Sequence, residues 1–267
     1  MLITTSELEK TLDNPNLILI DTRSFQEYSQ GHILNALNLD LFSFHWIDTS
    51  KEGVLSFNQQ LEKIFSSVGV TEEKEVIFYD NVSGMLAARG VWLLEYLSHP
   101  HVSMLDGGMT KWKSEGLAWN TIPVNNKPTN FSGTPNPKIL AGFQYVLDNL
   151  NKVTILDVRS KEEFSGDLVR AARGGHIPTA INIDYAENLS QDGTLKNDEY
   201  LSKLYQIPKE TEIVTYCQGA YRAANTFVAL KKLGFSNVKV YLGSWGEWGN
   251  KLELPVEQSF TIRIFVI

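Results

Sequence analysis

The sequence predicts an α/β fold built twice: two tandem domains, each a mostly parallel sheet flanked by helices. Two observations carry this prediction. The chain repeats itself, and each repeat alternates short apolar runs with longer amphipathic stretches. LILIDTRSFQEYSQGHILNALNLD (17–40) matches VTILDVRSKEEFSG and the following GGHIPTAINID within 153–184. Asp21 and Asp157 stand 136 residues apart. Gly31-His32-Ile33 and Gly175-His176-Ile177 stand 144 apart, so the second copy holds eight extra residues between these marks. EVIFYD (75–80) matches EIVTYC (212–217) at 137, and VSMLDGGMTKW (102–112) matches VKVYLGSWGEW (238–248) at 136. Four ordered matches at nearly constant spacing describe a duplicated domain.

The elements follow in chain order. Apolar runs at 17–20, 76–79 and 102–105 in the first copy, and at 153–156, 213–216 and 238–241 in the second, read as buried parallel strands. Between them, 85–97 and 221–233 place apolar residues at helical spacing, and Gly234 stands where a helix C′ residue is expected. Between the copies, AWNTIPVNNKPTNFSGTPNPK (118–138) is rich in Pro, Asn, Thr and Gly and has no periodicity. It reads as a linker between domains at 1–117 and 139–267. In such sheets ligands bind beyond the carboxyl ends of strands.

Composition narrows the function. With 267 residues, 43% of them apolar and 21% charged, the chain is globular. Its net charge of −7 and its lack of a basic tract argue against nucleic acid as a partner. No apolar run approaches the ~18 residues that span a bilayer, so no membrane is expected. The start, MLITTSELEK, has neither the basic nor the apolar region of a secretory leader, and a cytoplasmic protein is expected.

There is one cysteine, Cys217. A lone cysteine excludes an intramolecular disulfide, a multi-thiolate zinc site and a CxxC redox pair. His45, His99 and His101 have no partners at ligand spacing, so neither a metal nor a cofactor is expected. Cys217 directly follows an apolar run, and CQGAYR (217–222) leads into a helix beginning near Tyr221. The N–H groups of a tight strand-to-helix loop form an anion nest, the helix N-terminus adds positive charge, and Arg222 adds a full charge. All three favour the thiolate, which is the nucleophile. Gly219 is expected to take a positive φ as the loop closes. The first copy carries Asp80 where the second carries Cys217, which reads as one non-catalytic and one catalytic half.

These features resemble the rhodanese family, the two-domain sulfurtransferases. The resemblance spans essentially the whole chain. Its marks are DTRS and DVRS, GHI twice, LDGGMTKW, LGSWGEW and CQGAYRAA. It implies two tandem rhodanese-like domains, an active site between them, and a catalytic Cys217 in the second. The span from Cys217 to Arg222 has the length of the sulfurtransferase loop. Related phosphatases have one more residue before their Arg, which widens the cradle for phosphate.

The resemblance implies double displacement. Cys217 takes the outer sulfur of a small anionic donor, thiosulfate or 3-mercaptopyruvate, and the persulfide passes it to a thiophilic acceptor such as cyanide, a thiol or a protein thiol. With no second cysteine, the acceptor is external. Substrate-binding candidates are Gln218, Gly219, Ala220, Tyr221 and Arg222 in the loop, Arg159 in DVRS, and Arg170 and Arg173 in the insertion. Arg159 has a counterpart in Arg23, so a structural Asp–Arg pair stands equally beside a substrate role. His176 recurs as His32 in the copy without a nucleophile and reads as structural. Trp112, Trp245 and Trp248 read as core, with Trp245 also placed to border the pocket.

The sequence departs from the family in two places. Its loop is neither the CRKGVT-like form of thiosulfate sulfurtransferases nor the CGSGVT-like form of mercaptopyruvate sulfurtransferases, and Ser165 stands where many relatives have Arg. Thiosulfate is the expected donor, with 3-mercaptopyruvate as the alternative. A persulfide carrier, a non-enzymatic binding module and a phosphatase are the rival readings. The apolar FTIRIFVI (260–267) reads as an edge strand or packed tail without assigned function.

Overall fold

The computed structural model describes residues 1–258, so the apolar tail at 260–267 lies outside the described residues. The first half runs β1 (Leu2–Ile3), α1 (Thr5–Thr11), β2 (Leu17–Asp21), α2 (Phe25–Gln30), β3 (His32–Ile33), β4 (Leu37–Asn38), α3 (Lys51–Ser67), β5 (Glu75–Tyr79), α4 (Met85–Tyr96), β6 (Val102–Leu105), α5 (Gly108–Ser114) and β7 (Trp119–Asn120). The second runs β8 (Leu140–Ala141), α6 (Phe143–Asp148), β9 (Thr154–Asp157), α7 (Lys161–Ser165), β10 (Ile181–Asn182), α8 (Asp198–Leu204), β11 (Ile213–Tyr216), α9 (Tyr221–Lys232), β12 (Val238–Tyr241) and α10 (Ser244–Trp248).

Both halves build the same parallel sheet. The first has the order β1-β6-β5-β2-β4 and the second β8-β12-β11-β9-β10. Position by position these are the same arrangement. The central strands are near-continuous apolar runs because helices cover both faces. The outer strands β1, β4, β8 and β10 have two residues each, too few to show a period in sequence. α3 presents Phe57, Leu61 and Phe65 to the core at four-residue spacing, and Ser50 caps its start by accepting from the Gly53 N–H.

The two halves meet through α4 and α9. Both helices are buried nearly all round, as Ala87, Ala88, Val91, Trp92, Leu93 and Leu94 show on one and Ala223, Ala224, Phe227 and Val228 on the other. A helix without a polar face needs partners on every side. One core cluster accordingly runs from Phe57 and Trp92 through this pair to Phe227. Gly234 closes α9 with φ +85°, a conformation open to glycine. Residues 121–136 have no regular structure, but they run along the first half, where Thr129 bonds Ser66 and Thr134 bonds Leu97.

Because β5 leads into α4 and β11 into α9, two strand-to-helix loops lie beside this interface. Residues 80–84 form one and 217–220 the other.

Candidate active site

Cys217 directly follows β11 and is 1% exposed. It sits in a cavity of 430 Å³ between the halves, with Gln218, Gly219, Tyr221, Arg222, Arg170 and Tyr185 from the second half and Phe42, His45 and Met85 from the first. The loop is held from behind. The Ser244 hydroxyl accepts from the Cys217 N–H (3.2 Å) and the Ala220 N–H (3.1 Å) and donates to the Tyr241 carbonyl (2.8 Å). Trp245 N–H donates to the Cys217 carbonyl and Gly246 N–H to the Gln218 carbonyl. Ser244, Trp245 and Gly246, at the start of α10, thus fix the loop.

The remaining N–H groups are open. Among the described residues, those of Gln218, Gly219, Tyr221, Arg222 and Ala223 have no acceptor. They surround the end of β11 and the first turn of α9, where the helix dipole adds positive charge. This is an anion cradle with a sulfur atom at its rim.

The positive φ in the loop falls on Ala220 (+66°), not on Gly219 as expected. Ala220 is held there by its bond to Ser244, and it faces the protein interior rather than the cavity. Gly219 is required for a different reason. A Cβ there would collide with the His45 ring from the other half.

Arg222 does not stand free. Its guanidinium grips the Glu163 carboxylate with both ends, at 2.6 and 2.9 Å. Burial disfavours its charge, but Glu163 and the Cys217 sulfur outweigh that and leave Arg222 more basic than usual. Glu163 is itself buried and its burial is overcome by Arg222, so its carboxyl titrates low. Sequence reasoning missed Glu163. The signal was its place as the last residue of the Ser160 capping box, SKEE, third in α7. Arg170 lies on the exposed rim, 3.4 Å from Glu163, and its carbonyl accepts from the Gln218 side chain.

Two candidates lie elsewhere. Arg159 is buried against Asp157 (2.6 and 2.9 Å) and the Gly175 carbonyl (2.7 Å), with its guanidinium 4.6 Å over Trp245. Arg23 repeats the pattern with Asp21 and the Gly31 carbonyl. Arg159 is therefore the structural member of an Asp–Arg pair and does not line the cavity. Arg173 is committed as well. Its guanidinium donates to the carbonyls of Trp248, Lys251 and Leu254, tying the insertion to the end of α10. Neither side chain lines the cavity, although both are substrate-binding candidates in the sequence.

His176 and His32 hold matching structural positions. Each ring stacks on the aromatic residue preceding it, Phe164 at 3.7 Å and Tyr28 at 3.8 Å, and bonds that residue's carbonyl. Trp112, Trp245 and Trp248 are fully buried, and Trp245 does not reach the cavity. Tyr221 walls the site, its hydroxyl between the carbonyls of Phe42 and Phe44 and its ring stacked on His45.

A second missed residue comes from the other half. Arg89, on α4, is fully buried, donates to the Gly219 carbonyl at 3.1 Å and lies 4.2 Å over the Tyr221 ring. The signal was a single charge inside the apolar helix MLAARGVWLLEY.

Comparison with known proteins agrees with this arrangement. The Rhodanese-like domain family matches residues 4–115 and again 143–251. A thiosulfate sulfurtransferase of Azotobacter vinelandii is 33% identical over 267 residues, covering 96% of this chain and 97% of that one. A thiosulfate sulfurtransferase of Pseudomonas aeruginosa is 31% identical with the same coverage. Among solved structures, the 3-mercaptopyruvate sulfurtransferase SseA from Escherichia coli superposes with a TM-score of 0.77 at 26% identity, over 91% of this chain and 98% of that one. The anaerobic ergothioneine biosynthesis enzyme from Chlorobium limicola shares the fold, with a TM-score of 0.86 at 21% identity over 97% of this chain and 70% of that one.

Proposed function

Since the chain belongs to the rhodanese family, we propose that it is a sulfurtransferase working through a persulfide on Cys217. The observation that carries this reading is the open cradle of N–H groups around the one cysteine, in a cavity between the halves. The Cys217 thiolate attacks the outer sulfur of thiosulfate. The donor's S–S bond breaks, and sulfite leaves with the bonding pair. The terminal persulfide sulfur carries the negative charge, and the N–H groups of Gln218, Gly219, Tyr221, Arg222 and Ala223 stabilise it. An acceptor such as cyanide then attacks that sulfur, leaves as thiocyanate, and restores the thiolate. Splitting one transfer into two predicts ping-pong kinetics.

Arg170 on the rim receives the anionic donor, while Gln218 is held by the Arg170 carbonyl. Arg222 is half neutralised by Glu163, so its role is to hold the first turn of α9 as much as to attract charge. Thiosulfate is the preferred donor because relatives at 31–33% identity carry that name. The uncharged Gln218-Gly219 pair and the likeness to SseA make 3-mercaptopyruvate the second donor to measure.

The test is thiocyanate formation with each donor, beside Cys217→Ser. Activity with one donor, abolished in the variant, is the expected result. No thiocyanate from either donor overturns small-molecule transfer. Mass spectrometry for an added sulfur on Cys217 then separates a protein-directed carrier from a binding module.

A further inference from the structure

The non-catalytic half sends one charge toward the loop. Arg89 has no exposed surface, and its Nε and Nη2 have no hydrogen-bond partner among the described residues. A buried guanidinium normally has a carboxylate, because an uncompensated charge in the interior is costly. No carboxylate pairs with this one among the described residues. Its one bond goes to the Gly219 carbonyl, and it lies over the ring of Tyr221. Burial disfavours its charge, opposed by the Tyr221 hydroxyl and the Cys217 sulfur. Arginine remains charged even so.

The geometry clarifies what the contact does. The peptide between Gly219 and Ala220 is gripped at both ends, its carbonyl by Arg89 and its N–H by Ser244. Turned the other way, that carbonyl would present its negative end to the cradle. Arg89 does not line the cavity, so it acts from behind the loop.

Resting on the sulfurtransferase reading, we propose that Arg89 is a positioning residue for the reaction. It locks the Gly219 carbonyl out of the cradle, and its unpaired charge is balanced by the anionic sulfur on Cys217. The non-catalytic half would then supply the site with a fully buried cation that has no carboxylate partner among the described residues. The other ionisable groups around the sulfur are Arg222 with Glu163, Arg170, Tyr185, Tyr221 and His45, with Asp80 across the interface beyond Tyr185.

The test needs no sulfur donor, so its failure and that of the transfer reading are distinguishable. Alkylation of Cys217 by iodoacetamide is followed at pH 7 and at pH 9.5 in wild type, Arg89→Lys and Arg89→Gln. Gln keeps a donor without the charge, and Lys keeps the charge. The expected result is that Arg89→Gln loses about tenfold at pH 7 relative to pH 9.5. Arg89→Lys should retain most of the wild-type ratio. An unchanged ratio in Arg89→Gln overturns the proposal. So does equal impairment of both variants, which would make the role purely structural. Thermal melts of the two variants establish that each is folded before rates are compared.

Discussion

Two strand-to-helix loops meet at the interface and put corresponding backbone N–H groups to opposite uses. In the first half, Asp80 stands at the end of β5 and its carboxylate turns into its own loop. It accepts from the N–H groups of Val82 (3.0 Å), Gly84 (3.2 Å), Leu86 (3.1 Å) and Ala87 (3.3 Å). In the second half the N–H groups of Arg222 and Ala223 occupy the places of those of Leu86 and Ala87, and they are unpaired. The carboxylate in the first cradle shows what the second is shaped to receive: one compact anion at the end of a strand. The supporting contacts also correspond. Met109 N–H meets the Asp80 carbonyl as Trp245 N–H meets that of Cys217. Asn225 donates to the Ser83 carbonyl across the interface as Arg89 donates to that of Gly219. Duplication kept the scaffold, while the side chain at the strand end and a loop shorter by one residue, 217–220 against 80–84, separate the free cradle from the filled one.

That contrast breaks most directly by converting one loop into the other. Cys217→Asp places a carboxylate where Asp80 has one, beside N–H groups ready to accept it. The protein should stay folded and lose thiocyanate formation by at least about a thousandfold, since the nucleophile is gone and the cradle is occupied. A variant that unfolds would show that the second cradle does not accommodate a carboxylate. Next in size is Arg222→Leu, which recreates the first copy's Leu86. It leaves the buried Glu163 with only the longer contact to the exposed Arg170, a loss of about 3 kcal/mol at most, read as a lower midpoint in denaturant melts. Glu163→Gln should cost less, because Arg222 retains some solvent contact and Glu163 has almost none. Equal losses would mean that the pair adds no more than two ordinary hydrogen bonds.

What was legible in the sequence was whatever repeats. The paired strands around Asp21 and Asp157, the twin GHI marks and the cysteine at a strand end all came from matching one half with the other. The structural role of Arg159 was half visible, because Arg23 mirrors it. The two-residue outer strands were not legible, since a period needs more residues than they have. Glu163 and Arg89 were missed for a different reason. Each acts through a partner far along the chain, 59 residues for Glu163 and Arg222 and 130 for Arg89 and Gly219. Local pattern carries no trace of that, except a capping-box glutamate and one charge in an apolar helix. The same limit misplaced the positive φ, which follows from Ser244 gripping Ala220 rather than from the presence of a glycine.

The smallest expected effect tests how strongly such a cradle holds a charge. Burial pushes the Asp80 carboxyl up to about 6 from an ordinary 3.8, outweighing the four N–H bonds that favour its charged form. The native protein therefore holds a proton on Asp80, between those two pH values, that the unfolded chain has released. The stability this gives is complete below about 3.8 and is lost as pH rises through about 6. The gap corresponds to about 3 kcal/mol at most. Asp80→Asn removes the titration, so melts of the two proteins across pH 4 to 7 should show the wild type losing ground to the variant as pH rises. Should their difference stay flat, the carboxylate is ionised throughout and four backbone N–H groups suffice to overcome burial. The first cradle would then be a stronger anion site than its surroundings imply. The open cradle around Cys217 would owe more of its grip on a persulfide to the loop itself and less to Arg89.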